Sequence, residues 1–158
     1  MKESGDLVGK IISAECYPRL AELVDNDSAQ LDQAVRARVR AGASISSRQY
    51  LDVLADREKA KQEFAVRIDG IDAVLTPGTL TPAIPLTEVD QTKTPAISTR
   101  WVNYLDLCAL TLPNGMTKTG LPLGLQIGCR GGDEALALRI GWALENATDW
   151  HNKAPDLN

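Results

Sequence analysis

Two stretches of sequence decide the fold: residues 110–117, Leu-Thr-Leu-Pro-Asn-Gly-Met-Thr, and residues 120–128, Gly-Leu-Pro-Leu-Gly-Leu-Gln-Ile-Gly. They predict two strands joined by a glycine-marked turn. The strands themselves are expected at 108–112 and 123–129, where apolar residues dominate as in a sheet covered on both faces. A third apolar run at 71–76 predicts another short strand, and the chain is therefore expected to be of the α/β class with few strands.

Apolar residues at spacings of three and four predict helices in the first third of the chain. The first helix is expected over residues 6–24, with Pro18 kinking or dividing it. A polar break follows, and Asp27 or Ser28 is expected to cap a second helix that Gly42 ends.

A third helix is predicted over residues 47–69, because Ser46 and Gln49 fit a capping box. A short helix or turn is expected within residues 98–107. The last helix is expected to begin after Asp133 and to run to about Ala147.

Length and proline content define the expected organisation. The chain of 158 residues predicts one domain over 1–158. Within it, residues 77–97 contain four prolines and are expected to form a long loop that is functional or packs on a larger body. The tail, residues 149–158, is expected to be irregular.

Composition restricts the class of function. The net charge of −4 and the thinly spread basic residues disfavour nucleic-acid binding. No apolar run is long enough for a membrane span. The three cysteines lack metal-ligand spacing, and Cys108 and Cys129 lie in apolar runs that predict buried thiols in a reducing cytoplasm. Neither a metal site nor a cofactor is expected.

The residues do not assemble a catalytic site in the sequence. The single histidine, His151, lies in the tail, where a serine triad base would lack rigid support. Serines 44, 46 and 47 lack the glycine of a nucleophile elbow, and helix capping accounts for Ser46. The glycines of segment 128–132 leave two interpretations open, an anion site at a helix N-terminus or a plain turn. No residue is assigned a catalytic role.

Taken together, the motifs resemble the amidase signature family. The segment 70–77, Gly-Ile-Asp-Ala-Val-Leu-Thr-Pro, resembles its "D-x-L-x-x-P" strand, and 110–115 with 120–127 resemble its "P-x-G … G-L-P-x-G-x-Q" hairpin. Residues 99–103 resemble the segment that leads toward the substrate pocket. The resemblance implies the C-terminal part of a fold with a mixed sheet covered by helices, and an enzyme that hydrolyses amides or transfers ammonia in an amidotransferase.

The resemblance also implies what this chain lacks. The family uses one lysine and two serines, with the nucleophile in a glycine- and serine-rich signature, and no such segment occurs here. Acyl transfer needs the nucleophile and its oxyanion donors. The positions expected to contribute a pocket wall are Thr99, Trp101 and Asn103, with core packing an equal alternative for Trp101.

Three hypotheses follow for the function. The chain is an amidase fragment or truncated homologue that is inactive alone, a subunit of a split amidase or amidotransferase, or a non-catalytic binding or scaffold protein. In the first two cases the small amide substrate binds only in the completed enzyme. The expected partner is an N-terminal amidase half, or a second copy through exposed sheet edges.

Overall fold

A computed structural model describes residues 2–91, 93 and 95–154, and predictions that fall on residues 1, 92, 94 and 155–158 lie outside it. The described chain contains five α-helices and three β-strands, which confirms the α/β class. In chain order these elements are α1 (Lys2–Val24), α2 (Gln33–Arg40), α3 (Ser47–Arg67), β1 (Val74–Pro77), α4 (Arg100–Tyr104), β2 (Cys108–Met116), β3 (Pro122–Cys129) and α5 (Glu134–Ala147).

The three strands form one sheet in the order β1–β3–β2, with β3 in the middle. Both pairings are antiparallel, so the parallel neighbours of a mixed sheet are not found among these three strands. The predicted hairpin is confirmed as β2 and β3, which are joined by residues 117–121. The strand predicted at 71–76 begins later, at Val74, and ends at Pro77.

The register fixes which backbone groups point away from the sheet. The Gly78 N–H donates to the Gly124 carbonyl at 2.9 Å, so this directly opposed pair is hydrogen-bonded. In an antiparallel pair, every second residue points its N–H and C=O away from the partner strand. Counting from Gly78 along β1, and across β3 to β2, the backbone groups of Pro77 and Pro113 therefore point away from β3. A proline has no N–H to leave unpaired at such a position, which is where edge strands accept it.

One face of the sheet carries the apolar core beneath α5. Ile127 is fully buried and lies in a row with Leu75 on β1 and Leu110 on β2. At Gly141 the helix comes so close to β2 that a Cβ atom would lie 2.4 Å from a Leu110 methyl carbon. The core residues under α5 belong to β2, β3 and the residue preceding β1, whereas Leu75 stays 56% exposed.

A buried arginine joins α1 to α2. Arg36 is 4% exposed, and its guanidinium donates to the carbonyls of Val24 at 2.5 Å, Asn26 at 2.9 Å and Ala29 at 2.6 Å. These carbonyls belong to the end of α1 and the turn after it, so Arg36 satisfies acceptors that the helix itself cannot pair.

The predicted cap of the second helix is wrong, and one of the two alternatives for Pro18 is excluded. The cap of α2 is Asp32, whose carboxylate accepts the Val35 N–H at 3.0 Å, because Asn26 first folds the intervening residues into a turn of their own. Pro18 does not divide α1, which continues through it to Val24.

The sequence also predicted that Gly42 ends the second helix and that a capping box begins the third. Gly42 lies in a 3₁₀ turn after α2, and a Cβ atom there would lie 2.0 Å from the Ser13 carbonyl oxygen. The capping box of α3 is confirmed, with the Ser46 hydroxyl accepting the Gln49 N–H and the Gln49 side chain accepting the Ser46 N–H.

The molecule exposes more surface than its mass predicts. Its accessible area is 11059 Å² for 17.1 kDa, whereas the scaling for folded monomers gives about 7,750 Å². The excess is about 3,300 Å². Many large apolar side chains are exposed as well, among them Val66 and Leu86. Within the described residues, no helix is both long and apolar enough to cross a membrane.

Replacing Arg36 with alanine is expected to lower the free energy of unfolding by about 2–4 kcal/mol, because three carbonyls lose a charged donor in a buried place. Urea unfolding followed by circular dichroism measures the change. Arg38→Ala is the matched control, since its guanidinium contact to the Ala34 carbonyl is exposed, and it should cost less than about 0.5 kcal/mol. Equal losses in the two variants would contradict the role assigned to Arg36.

Candidate functional site

A polar cluster on the other face of the sheet closes the base of the long loop. The Gln126 side chain, 2% exposed on β3, donates to the Thr76 hydroxyl at 3.0 Å and, more weakly, to the Ser98 carbonyl at 3.5 Å. The Ser98 hydroxyl donates to the Gly78 carbonyl at 2.8 Å. Residues twenty positions apart are thereby joined, and we call Thr76, Gly78, Ser98 and Gln126 the neck of the loop.

Two glycines permit this close arrangement. A Cβ atom at either Gly78 or Gly124 would lie 3.3 Å from the Thr111 methyl carbon, which is tighter than ordinary van der Waals contact. The Gly78 amide also binds the Gly124 carbonyl. Backbone and side-chain bonds therefore hold the start of the loop against the sheet.

Beyond the neck, the loop presents apolar side chains to solvent. The residues 79–89, which we call the apex, contain four large apolar side chains at least 48% exposed: Leu80, Ile84, Leu86 and Val89. Leu86 is 91% exposed. The apex keeps its shape through bonds of its own, such as the Thr79 hydroxyl to the Thr81 carbonyl at 2.8 Å and the Glu88 N–H to the Pro85 carbonyl at 2.9 Å.

Helix α4 follows the neck directly and is anchored by Trp101. The indole lies on β3 at Gly128, where a Cβ atom would be 2.6 Å from a ring carbon, and its ring centroid is 5.7 Å from that of Phe64. Trp101 is 6% exposed, and its Nε1 has no hydrogen-bond partner within the described structure. An unpaired buried N–H is costly, so tight packing holds the ring in this place.

The three predicted pocket residues do not share one surface. Thr99 is half-buried at the start of α4 and Asn103 is exposed near its end. At about 100° per residue these two lie on the same side of the helix, whereas Trp101 points inward to the sheet. The core-packing alternative for Trp101 thus agrees with its contacts, and Thr99 and Asn103 remain on the open side.

An arginine of α3 holds the end of α4. Arg57 donates to the Tyr104 carbonyl at 2.8 Å and the Asn103 carbonyl at 3.0 Å, and it forms an ion pair with Asp106. Lys61 contacts the same carboxylate at 2.8 Å. Asp106 adopts a φ of +53°, a left-handed conformation that these partners stabilise.

The electrostatics of this cluster follow from its contacts. The hydrogen bond from Lys61, with the nearby Arg57 charge, lowers the pKa of Asp106 below its usual value. On the other side of the sheet, burial raises the pKa of the Cys129 thiol, which therefore stays protonated near neutral pH. The Cys108 thiol donates a hydrogen bond to the Arg130 carbonyl, with 3.2 Å between the sulfur and the oxygen.

Four serine hydroxyls are engaged in hydrogen bonds of their own. The hydroxyls of Ser13, Ser44 and Ser98 donate to backbone carbonyls, and that of Ser46 bonds to a glutamine. The partner in each of these four bonds is a backbone carbonyl or a glutamine, whereas a lysine or histidine is what activates a serine nucleophile. The described side chains also form no group of three potential metal ligands.

Sequence reasoning missed Ser98 and Arg57 and treated Gln126 only as part of a motif. A glutamine inside the apolar run 123–129 was the available signal, because a buried amide requires partners. Nothing in the sequence pattern indicated that Ser98 would bond to Gly78.

Gln126→Leu is expected to loosen the neck, because it removes the donor to Thr76 and Ser98 while preserving apolar packing. The free energy of unfolding should fall by about 1–3 kcal/mol, with faster amide hydrogen exchange at residues 78–91. Gln91→Leu is the control, since Gln91 is exposed and its amide makes only a 3.5 Å contact with Asp32. Unchanged exchange in Gln126→Leu would contradict the neck.

Asp106→Asn is expected to make the protein less stable by about 0.5–1 kcal/mol at pH 7, since the ion pairs are half exposed. Because the pKa of Asp106 is lower in the folded state than in the unfolded chain, the ionised carboxylate stabilises the fold at pH values above the unfolded-state pKa, which is near 3.9. This contribution is lost as the pH falls through the folded-state pKa. The difference between the two proteins should therefore shrink below about pH 4. Urea unfolding from pH 7 to pH 2.5 measures it, and a pH-independent difference would contradict the assignment.

Comparison with known families identifies the fold. A family model described as Amidase matches residues 13–138. The A-subunit of the glutamyl-tRNA(Gln) amidotransferase from Geobacter metallireducens is 37% identical over 110 residues, which cover 66% of this chain and 22% of that protein. The corresponding protein of Roseiflexus sp. is 30% identical over 145 residues, covering 86% of this chain and 30% of that protein.

Solved structures show the same fold. A crystal structure of an amidase superposes with a TM-score of 0.80 at 22% identity, covering 91% of this chain and 35% of that one. An allophanate hydrolase of Kluyveromyces lactis superposes with a TM-score of 0.72, covering 84% of this chain and 23% of that one. The chain therefore spans a third or less of the length of the curated relatives it matches here, and it belongs to the amidase family.

Proposed function

We propose that this chain forms the C-terminal part of an amidase fold and takes part in cleavage of an amide C–N bond only when a catalytic body completes it. The observation that carries the proposal is the accessible area, which exceeds the expectation for a folded monomer by about 3,300 Å². Surface of that extent, rich in large apolar side chains, is typical of a piece that a larger body covers.

The size of the uncovered surface favours a large partner over a second copy. A standard interface covers about 800 Å² on each partner. The excess here is about four times that area, which fits a body of the size that 65% of an amidase chain would form. The proposed completing part is therefore an N-terminal amidase portion, in the same polypeptide or in a separate chain.

The chemistry supports the same division of roles. The hydroxyls of Ser13, Ser44 and Ser98 are engaged by backbone carbonyls, and that of Ser46 is engaged by Gln49. The completing part would bring the nucleophile, its activating lysine and the oxyanion donors. This chain would contribute structure and one wall of the substrate pocket.

The pocket wall is assigned to the open side of α4. Thr99 and Asn103 lie on that side and offer a hydroxyl and an amide to an amide substrate. Trp101 fixes the position of α4, and so of these two residues, because its ring packs closely against Gly128 on β3. The thiol content of the chain fits a reducing compartment, so we place the completed enzyme in the cytoplasm. Its reaction would be either ammonia transfer, as the names of the amidotransferase relatives suggest, or simple hydrolysis of an amide.

The isolated chain is expected to show no covalent labelling by a fluorophosphonate probe and no hydrolysis of small amides, because the groups that attack a carbonyl are supplied by the completing part. Mass spectrometry of the intact chain measures the adduct. The whole Geobacter metallireducens relative, labelled under the same conditions, serves as the positive control.

The same preparation should self-associate in sedimentation velocity as its concentration rises, since apolar side chains such as Leu75 and Leu86 remain uncovered. A stoichiometric adduct on one serine of this chain would overturn the proposed division of roles. A strict monomer at every concentration would contradict the exposed association surface.

A further inference from the structure

We propose that the loop apex, residues 79–89, is the element that docks this chain onto the catalytic body of an amidase, an inference that rests on the proposed function. The apex holds Leu80, Ile84, Leu86 and Val89, all at least 48% exposed within ten residues. No other stretch of similar length in the described chain exposes as many large apolar side chains. Apolar surface concentrated in this way marks a contact with another body.

The apex is built to bind without first becoming ordered. Its base is closed by the 2.8 Å bond between Ser98 and Gly78, and Gln126 holds that base to the sheet. Pro82 and Pro85 restrict the backbone between the apolar residues. Because these constraints are present before binding, docking costs less conformational entropy than a flexible loop would.

The position of the apex fits a body that covers the edge beside β1. The loop starts where β1 ends, and β1 is an edge strand whose Leu75 stays 56% exposed although it lies on the same face as the core residue Ile127. A partner that pairs with the edge of β1 would therefore meet the start of the loop as well. The occupant we assign is the N-terminal part of an amidase, which the area to be covered favours over a second copy.

The competing surface is smaller. Leu138 and Trp142 lie one turn apart on the side of α5 that faces away from the sheet, at 60% and 69% exposure. Two exposed side chains on a helix offer less apolar area than the four of the apex. Leu51 and Val66 on α3 are also exposed, but they stand fifteen residues apart on a strongly charged helix.

The test uses the full chain co-expressed with the N-terminal part of the Geobacter metallireducens relative, taken up to the point where the matched segment begins. The double variant Leu80→Ser/Leu86→Ser should weaken the complex at least tenfold, measured as the dissociation constant by calorimetry. The matched control Leu51→Ser/Val66→Ser removes two side chains of similar exposure from α3 and should change it less than twofold. Both variants should unfold at the temperature of the unaltered chain, because all four side chains are exposed.

Hydroxyl-radical footprinting of the complex gives a second measurement. Leu80 and Leu86 should become protected, while Leu51 and Val66 keep their reactivity. Equal affinity of the loop variant and the unaltered chain, or unprotected leucines in a formed complex, overturns the docking role of the apex and leaves the proposed function standing. No association of the unaltered chain overturns the proposed function together with this inference.

Discussion

The structure depends on the central position of β3. Among the described strands, β3 is the one with a hydrogen-bonded neighbour on each side, and its alternate residues face opposite sides of the sheet. Ile127 fills the apolar core under α5, while Gln126, one residue earlier, ties β1 to the loop. A shift of one residue in the register would exchange these side chains, placing an amide in the core and an isoleucine in the neck. The two neighbouring requirements therefore fix the pairing of all three strands.

Much of the fold could be predicted from local patterns, because local chemistry determined those elements. The capping box at Ser46 and the apolar runs that became β2 and β3 acted over a few residues, and the structure confirms them. The cap of α2 was predicted wrongly at Asp27 or Ser28, since Asn26 competes for the intervening backbone and delays the helix until Asp32. The strand order could not be derived from sequence, as β1 pairs with the strand that is most distant from it along the chain.

The candidate site was harder to predict for the same reason. Thr99, Trp101 and Asn103 came from a family resemblance along the chain, which gives no direction for each side chain. The short helix α4 turns Trp101 inward and leaves the other two outward. The neck joins residues separated by 20, 28 and 50 positions in sequence. Such contacts depend on tertiary structure, so only the unusual glutamine inside an apolar strand gave a signal.

The rigid neck and the bare apex are two consequences of one constraint. The proposed function requires a chain that matches about a third of an amidase to keep its own sheet ordered and still leave surface for a completing body. Hydrogen bonds at Gln126 and Ser98 are independent of that body, because every partner lies within this chain. The apolar side chains of the apex have the opposite character, since they gain free energy only when another body removes them from water. The hydrogen bonds of the neck thus stabilise this chain by itself, whereas the apolar side chains of the apex would attach it to another body. The neck is the point in the loop where the first kind of interaction gives way to the second.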